Sequence, residues 1–325
     1  MTVFRGLENV PATEGSLLTV GSFDGLHLGH QRILRQMRKY RDGMVTVLTF
    51  DPHPQTVVRP DFPPPPQLTT FDERQKLFER HGVERLVLAR FDLEFAALEA
   101  EEYVRSVLCD RLHVKRLFVG PNHHFGKGRR GDVNLLHSMA TECGFTVEVI
   151  EPVHRKGEIV SSSRIRKKLL AGDALNGMRC LSRPYYITGL VVHGAGKGRK
   201  LGFPTANFQD WESGKLEPPP GIYATITELD GIRYPSVSHF GPRPTFAGLA
   251  PAIETHLIGF DADIYGRMIR VGLVDKIRDT FAFGSVEELI RQMDIDRQSA
   301  LDAIEAAGFG TGARIKDRRL GTFTE

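Results

Sequence analysis

The stretch SLLTVGSFDGLHLGHQRILRQMRKYR, from Ser16 to Arg41, decides the fold class. Ser16–Phe23 is a short apolar run, which reads as a strand buried on both faces. A glycine-rich turn follows, and Gln31–Arg41 then sets Ile33, Leu34, Met37 and Tyr40 on one helical stripe that stops at Gly43. The same alternation continues. Met44–Phe50, Arg85–Arg90, Arg116–Gly120 and Thr146–Ile150 read as further buried strands. Glu73–His81, Glu101–Arg111 and Val133–Cys143 read as helices, with Gly82 and Gly144 as stops. Strand and helix alternating over short links predict an α/β domain with a mostly parallel sheet wrapped by helices. Its ligand belongs at the carboxyl ends of the strands.

After about Pro184 the texture changes. Tyr185–His193, Ile222–Leu229, Ile232–Ser238, Ala252–Phe260 and Met268–Val274 are strand-like, with no long helical pattern between them. Asp230-Gly231 is a two-residue hairpin signal. A small antiparallel barrel is expected. A closing helix over Ser285–Ala306 starts on a Ser285/Glu288 capping box and carries Val286, Leu289, Ile290, Met293, Leu301 and Ile304 as its apolar stripe. The polar tail beyond Gly308 is expected to fray, and Pro63–Pro66 is read as a stiff spacer.

A chain of 325 residues is too long for one ordinary core and suits two. With 41% hydrophobic and 26% charged residues and a formal net charge of +3, it is neither a disordered polyelectrolyte nor globally suited to nucleic acid. No apolar run approaches the roughly 18 residues of a membrane span, and no secretory signal is visible. Cys109, Cys143 and Cys180 are sparse and far apart, which fits a reducing compartment. A cytoplasmic protein without membrane or nucleic-acid partners, a monomer or weak homo-oligomer, is expected.

The turn Gly21-Ser22-Phe23-Asp24-Gly25-Leu26-His27-Leu28-Gly29-His30 leads from strand to helix. His27 and His30 are three apart, so both imidazoles face one side of the first helical turn. Gly25 and Gly29 are read as leaving room for a bulky ligand. Free N–H groups at a helix start suit phosphate, and imidazoles there can steady a phosphorus centre and its leaving group. Gly120–Arg130 (GPNHHFGKGRR) is a second cationic loop, and Ser161–Arg166 (SSSRIR) a third, with hydroxyls and Arg166 as a phosphate cradle. Three such loops on one sheet edge point to nucleotidyl transfer, which needs positioning and charge rather than a nucleophilic side chain.

In the second half, Gly189–Asn207 (GLVVHGAGKGRKLGFPTAN) is glycine-rich and basic but lacks the order of a P-loop. Thr205 and Asn207 alternate on an extended segment as two neutral oxygen ligands for Mg²⁺. Glu254 and His256 share one face of a strand, and Glu254 is a candidate base toward an alcohol.

Taken together, GSFDGLHLGH, FDPHP at Phe50–Pro54, VGPN with FGKGRRGD, SSSRIR, RPYYITG, GRKLGFPTANF, GIYA, GPRPTF, IETH and KIRD, in this order, resemble the prokaryotic bifunctional riboflavin kinase/FMN adenylyltransferase (FAD synthetase) family. The resemblance implies a Rossmann-like nucleotidyltransferase domain over 1–183. It implies a six-stranded barrel kinase domain with a C-terminal helix over 184–325. The substrates would be riboflavin, FMN and ATP, with Mg²⁺ as cofactor and FAD as product. In the adenylyl step it gives His27, His30, Asn122 and Arg166 catalytic roles. Gly21, Phe23, Asp24, Gly29, Ser162 and Ser163 would bind nucleotide, and Phe50, Pro52, His53 and Phe125 flavin. In the kinase step Glu254 would be the base, Thr205 and Asn207 the metal ligands, and Gly194, Lys200, Gly202, Pro204 and Thr205 the nucleotide site. Arg278 would touch the flavin.

The chain departs from the family pattern at several points. His123-His124 replace Phe-Arg, Ser182 replaces a linker glycine, His239-Phe240 replace Asn-Ile, and Gly259 replaces an Asp. Two alternatives stay open: a nucleotidyltransferase for FMN or a flavin analogue with a degenerate kinase barrel, and a flavin-binding carrier or regulator without turnover.

Overall fold

The structure, a computed structural model, describes residues 1–11, 15–194, 196–209, 214–241 and 253–310, with backbone alone at Lys197, Lys200 and Gln209. The polar tail expected to fray and most of the GPRPTF motif lie outside the described residues. Two compact units divide the chain, Met1–Ser161 and Ser162–Glu325.

The first unit carries strands β1 (Thr2–Arg5), β2 (Ser16–Val20), β3 (Met44–Asp51), β4 (Arg85–Arg90), β5 (Val114–Val119) and β6 (Thr146–Val149). All pair in parallel, in the order β1-β4-β3-β2-β5-β6. Five strands are legible as apolar runs. The sixth, β1, has four residues with an arginine at its end, too few to show a period. The direction of winding reverses between β2 and β5, and such a switch point opens a crevice beyond the carboxyl ends of both strands.

Around the sheet run α1 (Leu28–Met37), α2 (Pro54–Val58), α3 (Phe71–Arg80), α4 (Leu93–Ala96), α5 (Ala100–Glu102) and α6 (Val133–Cys143). β2 ends at Val20, earlier than expected, because Phe23 (φ 49°), Gly25 (φ 81°) and Leu26 (φ 36°) turn the chain through the left-handed region. α1 starts and stops earlier than its apolar stripe suggests, so Tyr40 leaves the helix and donates to Glu148 Oε1 at 2.9 Å. The expected helix over Glu101–Arg111 becomes α5 followed by a π-helix, Tyr103–Arg111, whose wider turn points Tyr103, Val104, Val107 and Leu108 inward. One core layer packs Leu18, Leu48, Val87 and Leu117 against these residues, and the other packs Leu17, Leu34, Met37 and Phe118. A short hairpin, β7 (His154–Arg155) with β8 (Glu158–Ile159), precedes the end of the unit.

The second unit opens with α7 (Ser162–Leu170) and α8 (Ala174–Leu181). The compact division therefore precedes the 183/184 boundary expected from the motifs. Met178 of α8 packs with Ala224, Ile226 and Val274 of the barrel, which ties these helices to the second unit. Ser182 ends α8 in the left-handed region (φ 58°), where glycine carries no Cβ penalty.

β9 (Tyr185–Val192), β10 (Ala206–Gln209), β11 (Gly221–Leu229), β12 (Ile232–Phe240), β13 (Ile253–Leu257) and β14 (Met268–Arg278) close an antiparallel barrel in the order β10-β13-β12-β11-β14-β9. Asp230 (φ 52°) and Gly231 (φ 76°) form the expected two-residue turn between β11 and β12. The barrel encloses hydroxyls that satisfy one another. Thr225 Oγ1 lies 2.8 Å from both Ser236 Oγ and Ser238 Oγ, Thr227 Oγ1 2.7 Å from Ser236 Oγ, and Ser238 Oγ 2.9 Å from Thr255 Oγ1.

A short α9 (Lys197–Lys200) stands where an open glycine loop was expected. α10 (Val286–Ala306) closes the unit. Ser285 Oγ caps it by accepting from Glu288 N, but Glu288 Oε2 accepts from Gly284 N, so the reciprocal half of the expected box is displaced by one residue. Val286, expected on the apolar stripe, is exposed, and the buried face carries Asp296, Ala300 and Ile304.

Candidate active sites

At the β2/β5 switch point the loop Gly21–His27 and the loop Gly120–Arg130 leave the sheet side by side in sequence order of strands. His27 is the N-cap of α1, and His30 lies in its first turn. Their rings stack with centroids 3.7 Å apart and planes 19° apart, so the expected shared face is realised. Phe23 packs against His30 at 4.9 Å and against Phe78 at 5.5 Å. Its ring is buried and supports the imidazole. Gly29 serves the histidines too, since a Cβ there would lie 3.1 Å from His27 Cε1. The His27 ring lies against Gly29. Burial, and then the neighbouring His27, hold the His30 imidazole well below its ordinary range. At neutral pH it is uncharged and donates a single N–H.

Asp24 is 3% exposed, and its carboxylate accepts from Leu68 N, Thr69 N and Thr69 Oγ1 at 2.9–3.0 Å. Gly25 N donates to Thr69 Oγ1 at 2.9 Å, and Arg74 Nη1 donates to the Ser22 carbonyl at 2.8 Å. The Asp24 carboxylate thus holds the loop in shape. The clamp from Leu68 to Arg74 was not visible in the sequence, because its donors are mostly backbone groups.

Beside this loop lies a cavity of about 970 Å³. Gly21, Phe50, His53, Asn122 and Phe125 of the expected set line it, joined by Phe91, Phe95, Tyr103 and His123. Pro52, linked to Asp51 by a cis peptide, is not among the lining residues. The wall is aromatic: His123 stacks on Phe125 at 5.8 Å, and Tyr103 lies 5.5 Å from Phe125 and 6.0 Å from Phe95. Burial, helped by the charges of His124 and Arg129, lowers His123 to about 4, so its ring is neutral. The Tyr103 hydroxyl is buried and has no hydrogen-bond partner among the described residues. Two cations of this loop pair with an acid: Lys127 Nζ lies 3.0 Å and Arg130 Nη1 3.9 Å from Glu99.

In the second unit, a cavity of about 160 Å³ lies between the barrel and α10. Phe203, Ile222, Val237, Phe281, Phe283, Leu289 and Met293 give it apolar walls, and Thr205, His239, Glu254, His256, Arg278 and Asp296 line it as well. Glu254 and His256 share the half-buried side of β13, as expected. His256 Nδ1 lies 2.9 Å from the Pro204 carbonyl. Burial lowers this imidazole, so in the neutral ring Nδ1–H donates to Pro204 and Nε2 keeps a lone pair. Arg278 is gripped by Asp296 of α10 through two hydrogen bonds, at 2.8 and 2.6 Å, and lies over the Phe281 ring at 4.6 Å. Asp296 is itself buried, accepts from Gln292 Nε2, and escaped the sequence reading because it interrupts an apolar stripe.

Thr205 also borders a second cavity of about 480 Å³, with Arg199, Pro204, Asp261, Asp263 and Tyr265. Asn207 is buried and stands opposite Glu254 in the β10–β13 ladder. A Cβ on Gly194 would lie 2.2 Å from Asn207 Nδ2, so Gly194 admits the Asn207 amide. Gly202 (φ 84°) turns the chain after α9. The Lys200 side chain lies outside the described residues, and Ser162, Ser163 and Arg166 open α7 in the second unit.

Two family models match the chain: FAD synthetase over residues 9–164 and riboflavin kinase over residues 181–304. The bifunctional riboflavin kinase/FMN adenylyltransferase of Escherichia coli K12 is 36% identical over 306 residues, covering 92% of this chain and 97% of that protein. The chain belongs to the bifunctional riboflavin kinase/FMN adenylyltransferase family. The Bacillus subtilis 168 member is 31% identical over 88% of this chain and 92% of its own length. A crystal structure described as a macrolide-efflux protein from Streptococcus pneumoniae is similar with a TM-score of 0.83 and 28% identity, over 92% of this chain and 99% of that one. Among the described residues of this chain, no helix is long and apolar enough to cross a membrane.

Proposed function

We propose that this chain phosphorylates riboflavin to FMN with ATP and adenylylates FMN to FAD with release of pyrophosphate. The observation that carries this reading is the presence of two chemically distinct donor sets, each within the segment matched by its own family model. That pairing supports turnover at both sites over a carrier or a lone adenylyltransferase. The division of labour follows the motifs, 1–183 for adenylyl transfer and 184–325 for the kinase.

In the kinase step, the apolar cavity under α10 takes the flavin ring, and the cavity beside Tyr265 takes ATP. The two meet at Thr205. Glu254 accepts the proton of the ribityl 5′-hydroxyl as that oxygen attacks the γ-phosphorus. The bond from the γ-phosphorus to the β,γ-bridging oxygen breaks, and ADP leaves. Arg278, fixed by Asp296, closes the flavin side. Thr205 and Asn207 are neutral oxygen donors beside the Glu254 carboxylate, a set that fits Mg²⁺. The cation supplies charge neutralisation on the phosphates.

In the adenylyl step, the aromatic cavity of the first unit holds FMN between Phe50, His53 and Phe125. An FMN phosphate oxygen attacks the α-phosphorus of ATP, the bond to the α,β-bridging oxygen breaks, and pyrophosphate leaves. The imidazoles of His27 and His30 donate to the phosphate oxygens, and Asn122 orients the incoming phosphate. Lys200 and Gly202 serve ATP in the kinase step. Incubation with riboflavin, ATP and Mg²⁺, followed by chromatography, tests the reading. FMN followed by FAD is expected, and the absence of both products contradicts it.

A further inference from the structure

Arg74 has no role in the chemistry above, yet its guanidinium lies under the loop that leads to His27 and His30. The sequence places it there through α3. Thr70 caps the helix, with Thr70 Oγ1 accepting from Glu73 N and Glu73 Oε2 accepting from Thr70 N. This box fixes the first turn of α3, and Arg74, the next residue, reaches back 52 positions to the Ser22 carbonyl at 2.8 Å. Its Nε is buried and has no hydrogen-bond partner among the described residues. Burial lowers the guanidinium's proton affinity, while the charges of Asp24 and Asp51 raise it. A desolvated cation that feels the charge of two carboxylates is an electrostatic counterweight, and a polyanion binding nearby feels the difference.

Resting on the adenylyl-transfer reading of this site, we propose that Arg74 is a positioning residue for the phosphate-binding loop. It pins the Ser22 carbonyl so that the Gly21–Gly25 turn delivers His27 and His30, and it offsets Asp24 and Asp51, which would otherwise repel the polyphosphate. Asp24 holds the neighbouring part of the same turn through Leu68 and Thr69, and Thr69 holds Gly25. With Arg74 removed the turn keeps those ties and loses its cation, so the deficit falls mainly on anion binding.

The test compares Arg74→Met and Arg74→Lys with the unmodified protein. It uses ATP dependence of FAD formation from FMN, calorimetric titration with inorganic pyrophosphate, and FMN formation from riboflavin as a control on integrity. Arg74→Met is expected to raise the KM for ATP and the Kd for pyrophosphate about tenfold, the typical worth of a hydrogen bond to a charged group. At saturating ATP its kcat stays within about threefold, FMN formation is unchanged, and Arg74→Lys restores most of the loss because charge returns without the planar fork. An unchanged KM and Kd in Arg74→Met would overturn the proposal. So would a fall in kcat and thermal stability alone that Arg74→Lys leaves uncorrected. Pyrophosphate binding without any FAD from the unmodified protein would defeat the adenylyl-transfer reading, while the Kd comparison would still decide the role of Arg74.

Discussion

In the first unit the proposed reactive groups ride on loops at the carboxyl edge of a parallel sheet, whereas in the second Glu254 projects from a barrel strand into a cavity roofed by α10. The first site needs backbone freedom. Its turn passes through three left-handed residues and is tied down by Leu68, Thr69 and Arg74. The second needs rigidity. Its proposed base, Glu254, sits in a hydrogen-bonded ladder opposite Asn207, and Arg278 is locked by a buried carboxylate. Polyphosphate recognition favours exposed N–H groups and mobile cations, while phosphorylating an alcohol on a planar ring favours a dry slot with one fixed base.

The sharpest way to break this comparison is to disable one unit at a time. His30→Ala is expected to lower FAD formation from FMN by about 10²–10³-fold, the scale of losing a preorganised donor at a charged transition state. FMN formation from riboflavin should stay unchanged in the same assay. Glu254→Gln should do the reverse, lowering FMN formation by about 10²-fold or more while FAD is still made from supplied FMN.

The contrast also explains what the sequence made legible. Loop motifs are local: Gly21–His30 reads as a strand-to-helix turn, and the structure stacks His27 on His30. The alternation of apolar runs gave the parallel sheet, and Asp230-Gly231 gave a barrel hairpin. Parts assembled from distant segments stayed dark. The first cavity joins Phe91, Phe95 and Tyr103 of one segment to Phe50 and Phe125 from elsewhere in the chain, and the Asp296–Arg278 lock joins a helix to a strand 18 residues away. A motif shows proximity in sequence but not direction, so the packing of the Phe23 ring on His30 and the hold of Asp24 on Thr69 come from the structure alone.

Smaller effects sharpen the comparison. Asp296→Ala leaves Arg278 without its buried partner and should destabilise the second unit by about 3 kcal/mol, visible as a lowered barrel transition in calorimetry. It should also raise the KM for riboflavin and spare FAD formation from FMN. On acidification the first unit should weaken. His30 and His123 both have lowered folded-state affinities for protons, so the unfolded chain binds more protons as pH falls below about 6.5 and stability drops with it. His123, lowered to about 4, should account for about 1–2 kcal/mol of that loss at pH 5. His123→Phe should flatten this part of a pH series of melting curves.

Complementation between the two disabled proteins tests the central claim most directly. His30→Ala alone, given riboflavin, ATP and Mg²⁺, should stop at FMN, and Glu254→Gln alone should leave riboflavin unconverted. Mixed, they should make FAD, because FMN formed on one protein is adenylylated on the other. FAD from either variant alone as fast as from the mixture, or none from the mixture when both proteins are folded, would contradict two separate sites acting in sequence.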